Sequence, residues 1–152
     1  MTNQIEKIYN FLQLSDSIAT SGQPTEEQFR EIQASGYQLL INLALSDSTN
    51  ALVNEQEIVE AKGMEYINIP VVWEHPTLKD IQEFFRVMQA NTDKKIFVHC
   101  VANMRVSAFV YLYRLIYDHL SEEDAKQDLE KIWIPNPTWQ QFIQRVREYY
   151  QK

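Results

Sequence analysis

The chain has 152 residues, 45% of them hydrophobic, so it can bury one well-formed core but is too short for two ordinary domains. Its formal net charge of −7 and pI near 4.9 argue against nucleic acid or an anionic membrane as the main partner, because both are bound through concentrated Lys and Arg. We therefore expect a single domain over residues 1–152 that binds proteins or small molecules.

Targeting and metal signals are missing from the sequence. No stretch approaches the roughly 20 uninterrupted apolar residues of a membrane span, and residues 1–6 lack the basic then apolar order of a signal peptide. A cytoplasmic location is the resulting expectation. The only cysteine, Cys100, cannot form an intramolecular disulfide or a Cys-rich zinc site, so we expect neither a metal nor a cofactor.

Helical and strand-like segments alternate along the chain. Thr25 begins a capping-box pattern and Gly36 is placed to end the helix that follows it. The first half is predicted to hold an amphipathic helix over 4–12, an edge strand over 15–21, a helix over 25–36, a strand over 38–45, a helix over 54–62 and a strand over 64–70. The second half is predicted to hold a helix over 77–91, a strand over 95–98, a helix over 105–120, and helices that begin at Ser121 and Asn136.

This alternation predicts the fold class. Strands separated by helices of about ten residues form parallel crossovers with helices on both faces of the sheet. We therefore expect an α/β fold, a three-layer sandwich with a mostly parallel central sheet. Such sheets bind ligands beyond the carboxyl ends of their strands, where Cys100 and the segment after Pro70 both fall.

Residues 99–107, His-Cys-Val-Ala-Asn-Met-Arg-Val-Ser, place Cys100 between a buried strand and a core helix. Backbone amides at such a turn point into one concavity, and the helix dipole adds positive potential, so the loop can hold a thiolate and an oxyanion. Arg105 would add a planar fork for two oxygens. A lone cysteine is usually a small buried hydrophobe, but the combination at this position favours a functional site.

The order His99, Cys100, loop, Arg105 and Ser107 resembles the cysteine-based protein tyrosine and dual-specificity phosphatase superfamily. That superfamily places five residues between cysteine and arginine and usually has a glycine in the loop, whereas four residues and no glycine stand here. The shorter spacing is similar to a bacterial subgroup of phosphatase-like proteins related to the beta-lactamase-hydrolase-like proteins. The segments 20–24 and 41–43 strengthen this likeness, which covers about residues 17 to 112.

The resemblance implies a phosphatase-like fold and a cysteine-dependent hydrolysis of phosphate monoesters through a phosphocysteine intermediate. It implies that Cys100 is the nucleophile, that Ser107 assists thiolate release, and that His99 orients the loop and tunes the thiol. The phosphate would be bound by Val101, Ala102, Asn103, Met104 and Arg105. The substrate would be a phosphorylated protein or small molecule, and Thr20, Ser21 and Gln23 would line the rim of the site.

A thiolate that attacks a phosphate monoester also needs an acid to protonate the leaving oxygen. Glu74 resembles in placement the acid of phosphatases with an Asp-His-Asn-Pro loop. The alternative is that Glu74 and Asp80 only favour the positive start of the following helix. His75 is a third candidate for the acid.

Two other functions fit a short cysteine loop. Four intervening residues also resemble the rhodanese sulfurtransferases, in which Cys100 would carry a persulfide. Rhodanese-like loops usually begin with a basic residue and contain a glycine, and Val101 and Asn103 depart from that pattern. The third hypothesis is that the chain is a non-catalytic anion-binding or interaction module. The oligomeric state is left open.

Overall fold

The computed structural model describes residues 4–48 and 50–151, so residues 1–3, 49 and 152 of the expected domain lie outside it. Its strands form one sheet in the order β1-β2-β5-β3-β4, with β1 antiparallel to β2 and the other neighbours parallel. The strands are β1 (Leu12–Gln13), β2 (Ile18–Ser21), β3 (Leu39–Asn42), β4 (Glu65–Asn68) and β5 (Ile96–His99). The mostly parallel sheet is therefore confirmed.

The α-helices begin where the sequence predicts. Thr25 with Gln28 and Thr77 with Asp80 form reciprocal capping boxes, and the Ser121 side chain accepts from a first-turn amide. The α-helices are α1 (Glu26–Ala34), α2 (Glu55–Ala61), α3 (Leu78–Ala90), α4 (Met104–Ile116), α5 (Glu122–Glu130) and α6 (Pro137–Tyr150). Within the described ranges, none of these helices has the length and apolar character needed to cross a bilayer.

Helices cover both faces of the sheet. Successive residues of a strand point to opposite faces, so neighbouring residues of one strand pack into different cores. Leu39 and Ile41 of β3 pack into a core that includes residues of α3, α4, α5 and α6. Leu40, between them, packs into a second core formed with α1 and α2. The predicted three-layer α/β sandwich is confirmed, and the long helix after Cys100 lies on the larger core.

The prediction of one helix over 4–12 is wrong. The chain forms a short 3-10 helix at Gln4–Lys7, and Asn10 then adopts a left-handed conformation with φ +51°. The Asn10 side-chain amide donates to the Ala102 carbonyl at 3.0 Å. This contact with the Cys100 loop holds the turn, and the chain enters β1 instead of continuing as a helix.

The strand predicted over 15–21 is present as β2, but the prediction that it lies at the edge of the sheet is wrong. β1 pairs with the outer side of β2, so β2 lies between β1 and β5. The hairpin is closed by the Ser15 hydroxyl oxygen, which accepts from the amides of Ser17 and Ile18. As a result, the end of β2 lies directly beside the end of β5, where Cys100 follows.

Gly22, just after β2, touches the backbone of the Cys100 loop. A Cβ atom at this position would lie 2.7 Å from the Val101 carbonyl oxygen and 2.6 Å from the Tyr9 ring. The Gln23 amide donates to the same Val101 oxygen at 3.0 Å. Because only a residue without a side chain fits here, Gly22 lets two backbone segments meet.

Gly22→Ala should therefore destabilise the protein by about 1–3 kcal/mol and displace the Cys100 loop. Gly63→Ala is the control: Gly63 has φ +83° and no atom near its added Cβ, so we expect a cost of about 1–2 kcal/mol without effect on the loop. Urea unfolding and the rate of Cys100 alkylation by iodoacetamide measure the two effects. Equal alkylation rates in both variants would contradict the assigned role of Gly22.

Candidate active site

A cavity of about 440 Å³ opens beyond the carboxyl ends of β3, β4 and β5. It is lined by Leu45, Asp47, Ser48, Trp73, Glu74, Cys100, Val101, Ala102, Met104 and Arg105. The structure thus brings together Cys100, Arg105 and Glu74, which the sequence assigned to one site. The loop after β3, with Asp47 and Ser48, also lines this cavity and was not predicted from the sequence.

Cys100 follows β5 directly and lines the cavity although only 1% of its surface is exposed. Its backbone amide donates to the Ser21 carbonyl at 3.4 Å, which continues the parallel pairing of β5 with β2 by one residue. The thiol is therefore held at the floor of the cavity by the sheet itself. The sheet register, and not a flexible loop, sets its position.

The loop after Cys100 presents several backbone donors. Within residues 4–48 and 50–151, the amides of Val101, Ala102, Met104 and Arg105 donate to no protein acceptor. The same four residues line the cavity. Successive unpaired amides at the start of a helix form a concave site for an anion.

Asn103 makes the loop possible without a glycine. It is the N-cap of α4 and has φ +66°, a left-handed conformation that asparagine tolerates better than most residues. Its side-chain amide donates to the Asn10 carbonyl at 2.8 Å and to the Thr20 hydroxyl at 3.0 Å. Asn103 therefore shapes the loop from behind, and Thr20, expected at the rim of the site, anchors it.

Arg105 is buried, with 6% of its surface exposed, and lines the cavity. One guanidinium nitrogen, Nη1, donates to the Val71 carbonyl at 2.7 Å, which ties the start of α4 to the segment after β4. Among the described residues, Arg105 makes no ion pair with a carboxylate. A buried guanidinium without a protein counter-ion, facing a cavity, is suited to bind an anion.

Ser107 is not directed toward Cys100. Its hydroxyl donates to the Met104 carbonyl at 2.9 Å and accepts from the Trp133 indole nitrogen at 3.0 Å. Ser107 instead lines a small second cavity beside Thr20 and α5. In this arrangement it supports the first turn of α4 and is not in hydrogen-bonding contact with the thiol.

The loop after β4 is fixed by aromatic residues. The Trp139 indole donates to the Trp73 carbonyl at 2.9 Å, and the ring of Trp73 packs against Trp133 and Trp139 with centroids 5.3 and 5.7 Å apart. Trp73 also lines the cavity, so it both packs and forms part of the cavity wall. These contacts place Glu74 at the mouth of the cavity.

The other candidate acids occupy different positions. His75 is exposed and is not among the residues that line the cavity. The Asp80 carboxylate accepts from the Thr77 amide at 3.1 Å as part of the capping box of α3. The cavity wall instead contains two exposed carboxylates, Glu74 and Asp47.

His99 lies behind the nucleophile and is fully buried. Its Nδ1 is 3.2 Å from the Cys100 carbonyl oxygen, and its Nε2 is 2.7 Å from a carboxylate oxygen of Glu55, at the start of α2. Glu55 is itself 4% exposed. Glu55 could not be predicted from the sequence, because a glutamate in the first turn of a polar helix has the pattern of a solvated residue.

Glu55 is held by further hydrogen bonds. The Gln23 side-chain amide donates to it at 2.8 Å, which gives Gln23 a structural role behind the site. Burial raises the pKa of Glu55, but hydrogen bonds from His99, Gln23 and Tyr66 and the charge of His99 outweigh burial, so the pKa is lowered. Burial and the nearby Glu55 charge both raise the pKa of Tyr66, whose hydroxyl accepts from Asn42 at 3.0 Å.

Several proteins are similar to this chain in sequence, in fold or in both. A protein from Shewanella putrefaciens CN-32 described as "Putative phosphatase (DUF442)" is 32% identical, with a TM-score of 0.87 and 96% of each chain covered. A beta-lactamase hydrolase-like protein of Xylella fastidiosa (strain Temecula1) is 28% identical over 116 residues, 74% of this chain but only 27% of that protein. PTPMT1 in complex with PI(5)P shares the fold at 15% identity, with a TM-score of 0.79 over 93% of this chain and 96% of that one.

The family model described as "DSP-PTPase phosphatase fused to NAD+ Kinase" matches residues 8–149. The matched region includes the whole cavity and every strand of the sheet. It also contains the Cys100 loop and the buried Glu55 behind it. Because the match spans nearly the whole chain, the protein belongs to this DSP-PTPase phosphatase family.

Proposed function

We propose that the protein is a cysteine-dependent phosphatase that hydrolyses phosphate monoesters through a phosphocysteine intermediate. The observation that carries this proposal is the buried Arg105, which faces the cavity beside Cys100 and, among the described residues, has no carboxylate partner. A phosphoryl group would supply the missing negative charge. The four loop amides would share its equatorial oxygens with Arg105.

The first chemical step would transfer the phosphoryl group to sulfur. The Cys100 thiolate attacks phosphorus, an S–P bond forms, and the P–O bond to the leaving group breaks. The electron pair of the broken bond stays on the leaving oxygen, which takes a proton from the acid. Glu74 is the proposed acid, because it lines the same cavity as Cys100.

The second step would return the enzyme to its starting state. Water attacks the phosphocysteine, the S–P bond breaks, and the electron pair returns to the Cys100 sulfur as a thiolate. The Glu74 carboxylate takes the proton from the attacking water. Inorganic phosphate then leaves the cavity, and no cofactor takes part.

A direct assay tests the proposal. The purified protein should release phosphate from para-nitrophenyl phosphate, and Cys100→Ser should lower this activity to background because an alcohol is a much weaker nucleophile than a thiolate. Transfer of sulfur from thiosulfate to cyanide should stay at background. Thiocyanate production without phosphate release would instead support a sulfurtransferase, and neither activity would support an anion-binding module.

The choice of acid can be tested with two leaving groups. If Glu74 donates the proton, Glu74→Gln should slow hydrolysis of phenyl phosphate by about 10²-fold and that of para-nitrophenyl phosphate much less, because only the poorer leaving group needs protonation. Asp47→Asn is the matched variant, since Asp47 lines the same cavity. If Asp47→Asn alone shows the leaving-group dependence, Asp47 and not Glu74 is the acid.

The wall of the cavity also indicates which substrates would be preferred. Beyond the loop, the charged residues that line it are Asp47 and Glu74, and Trp73 adds an aromatic surface. The chain as a whole has a net charge of −7. We therefore propose that phosphate monoesters with a neutral or cationic leaving group are favoured over polyanions such as the PI(5)P bound by PTPMT1.

Two aryl phosphates of equal shape test this preference. The phosphate of tyramine, with an ammonium tail, should have a kcat/KM about threefold to tenfold above that of the matching propionate, with its carboxylate tail, at low salt. The difference should shrink at about 0.5 M salt and in Asp47→Asn. Asp93→Asn, which changes an exposed carboxylate at the opposite end of β5, is the control. An equal kcat/KM for both substrates would refute the preference.

A further inference from the structure

A hydrogen-bonded pair of buried ionisable residues, His99 and Glu55, lies directly behind the proposed nucleophile. His99 is fully buried and Glu55 is 4% exposed, so solvent cannot compensate their charges. The pair joins the residue before Cys100 to α2, 44 residues away in the chain. Its protonation state therefore bears on the electrostatic environment of the thiol.

The neighbours of Glu55 show that its carboxyl group is ionised. The Gln23 amide donates to one oxygen at 2.8 Å, and the His99 Nε2 lies 2.7 Å from the other. A carboxylate that accepts several hydrogen bonds is stabilised in its charged form.

The same reasoning assigns the protons of His99. Its Nε2 lies 2.7 Å from the ionised Glu55 oxygen, which can only accept, so Nε2 must carry a proton. Its Nδ1 lies 3.2 Å from the Cys100 carbonyl oxygen, which can also only accept, so Nδ1 must carry one as well. An imidazole with protons on both nitrogens is a cation.

The family resemblance assigns to His99 the orientation of the loop and the tuning of the thiol, and we propose that Glu55 is the positioning residue that holds His99 as an imidazolium for this role. The effect of the His99 charge on catalysis rests on the proposed phosphatase function. The two charges of the pair cancel at long range. His99 Nδ1 lies 3.2 Å from the Cys100 carbonyl oxygen, so the positive member of the pair is the one that contacts the backbone of the nucleophile.

The groups around the ring support this assignment. Phe29 of α1 contacts the His99 ring edge-to-face, with centroids 6.0 Å apart, and carries no charge. Of the titratable groups in the described part of the chain, Glu55 hydrogen-bonds to His99, Tyr66 interacts electrostatically with Glu55, and Cys100 is the next residue. Burial and the adjacent Glu55 charge raise the pKa of Tyr66, so it stays neutral. Glu55 is thus the counter-ion of His99.

The protonation state can be measured without any enzymatic assay. Long-range ¹H–¹⁵N correlation spectra of the wild-type protein at pH 7.5 should show both ring nitrogens of His99 protonated. His75→Gln and His119→Gln assign the remaining histidine signals, since the chain contains three histidines. A neutral His99 with one protonated nitrogen at this pH would overturn the proposal.

The Glu55→Gln variant tests the cause. Glutamine keeps the size of Glu55 and can donate to Nε2, so His99 should become neutral with its proton on Nδ1. Alkylation of Cys100 by iodoacetamide at pH 7 should slow about threefold to tenfold as the nearby positive charge is lost. Glu57→Gln, the same substitution at an exposed position of α2, should leave both the spectrum and the rate unchanged.

These measurements separate this inference from the proposed function. An imidazolium that disappears in Glu55→Gln, in a protein that releases no phosphate, would refute only the phosphatase proposal. Phosphate release with a His99 that stays charged in Glu55→Gln would refute only the role of Glu55. If Glu55→Gln does not fold, the wild-type spectrum still decides whether His99 is a cation.

Discussion

The close backbone contact between Gly22 and Val101 is the constraint on which the site depends. It brings the end of β2 against the loop that follows β5, at a distance that leaves no room for a side chain on residue 22. The residues on either side of Gly22 then reach their partners: Thr20 contacts Asn103, and Gln23 contacts Glu55. One glycine therefore positions two supports of the Cys100 loop, one through Asn103 and one through Glu55.

The site contains two buried basic side chains, His99 and Arg105, with different partners. His99 is hydrogen-bonded to the Glu55 carboxylate inside the protein, at 2.7 Å. Arg105 makes a hydrogen bond to the Val71 carbonyl but, in the described part of the chain, no ion pair. Because an isolated buried charge is costly, the Arg105 environment is the one that a bound anion would complete.

The short loop is compatible with this arrangement because Asn103 takes the backbone conformation that a glycine would otherwise supply. Its φ of +66° turns the chain from β5 into α4 within the four residues between Cys100 and Arg105. The cost of a left-handed conformation is reduced for asparagine, and two hydrogen bonds from its side chain hold it in place. The departure from the superfamily pattern is thus structurally accommodated.

Helix starts were predictable because they depend on contacts between neighbours in the sequence. The Thr25 and Thr77 side chains accept from amides only three residues away, so the local sequence is enough to identify these helix starts. The helix over 4–12 was predicted wrongly because Asn10 is held by Ala102, 92 residues away. The edge strand was misplaced because β1, which covers β2, is only two residues long and has no periodic pattern to detect.

By itself, the sequence determined the order of the elements, the α/β class, and the position of Cys100 between a strand and a helix, because these follow from local periodicity and capping. It also placed Arg105 and Glu74 near Cys100, since the ends of parallel strands meet at one edge. Only the tertiary structure decided that Asp47 joins the cavity, that Ser107 turns away, and that Glu55 is buried against His99. Those outcomes depend on hydrogen bonds and packing between distant segments, which no local pattern encodes.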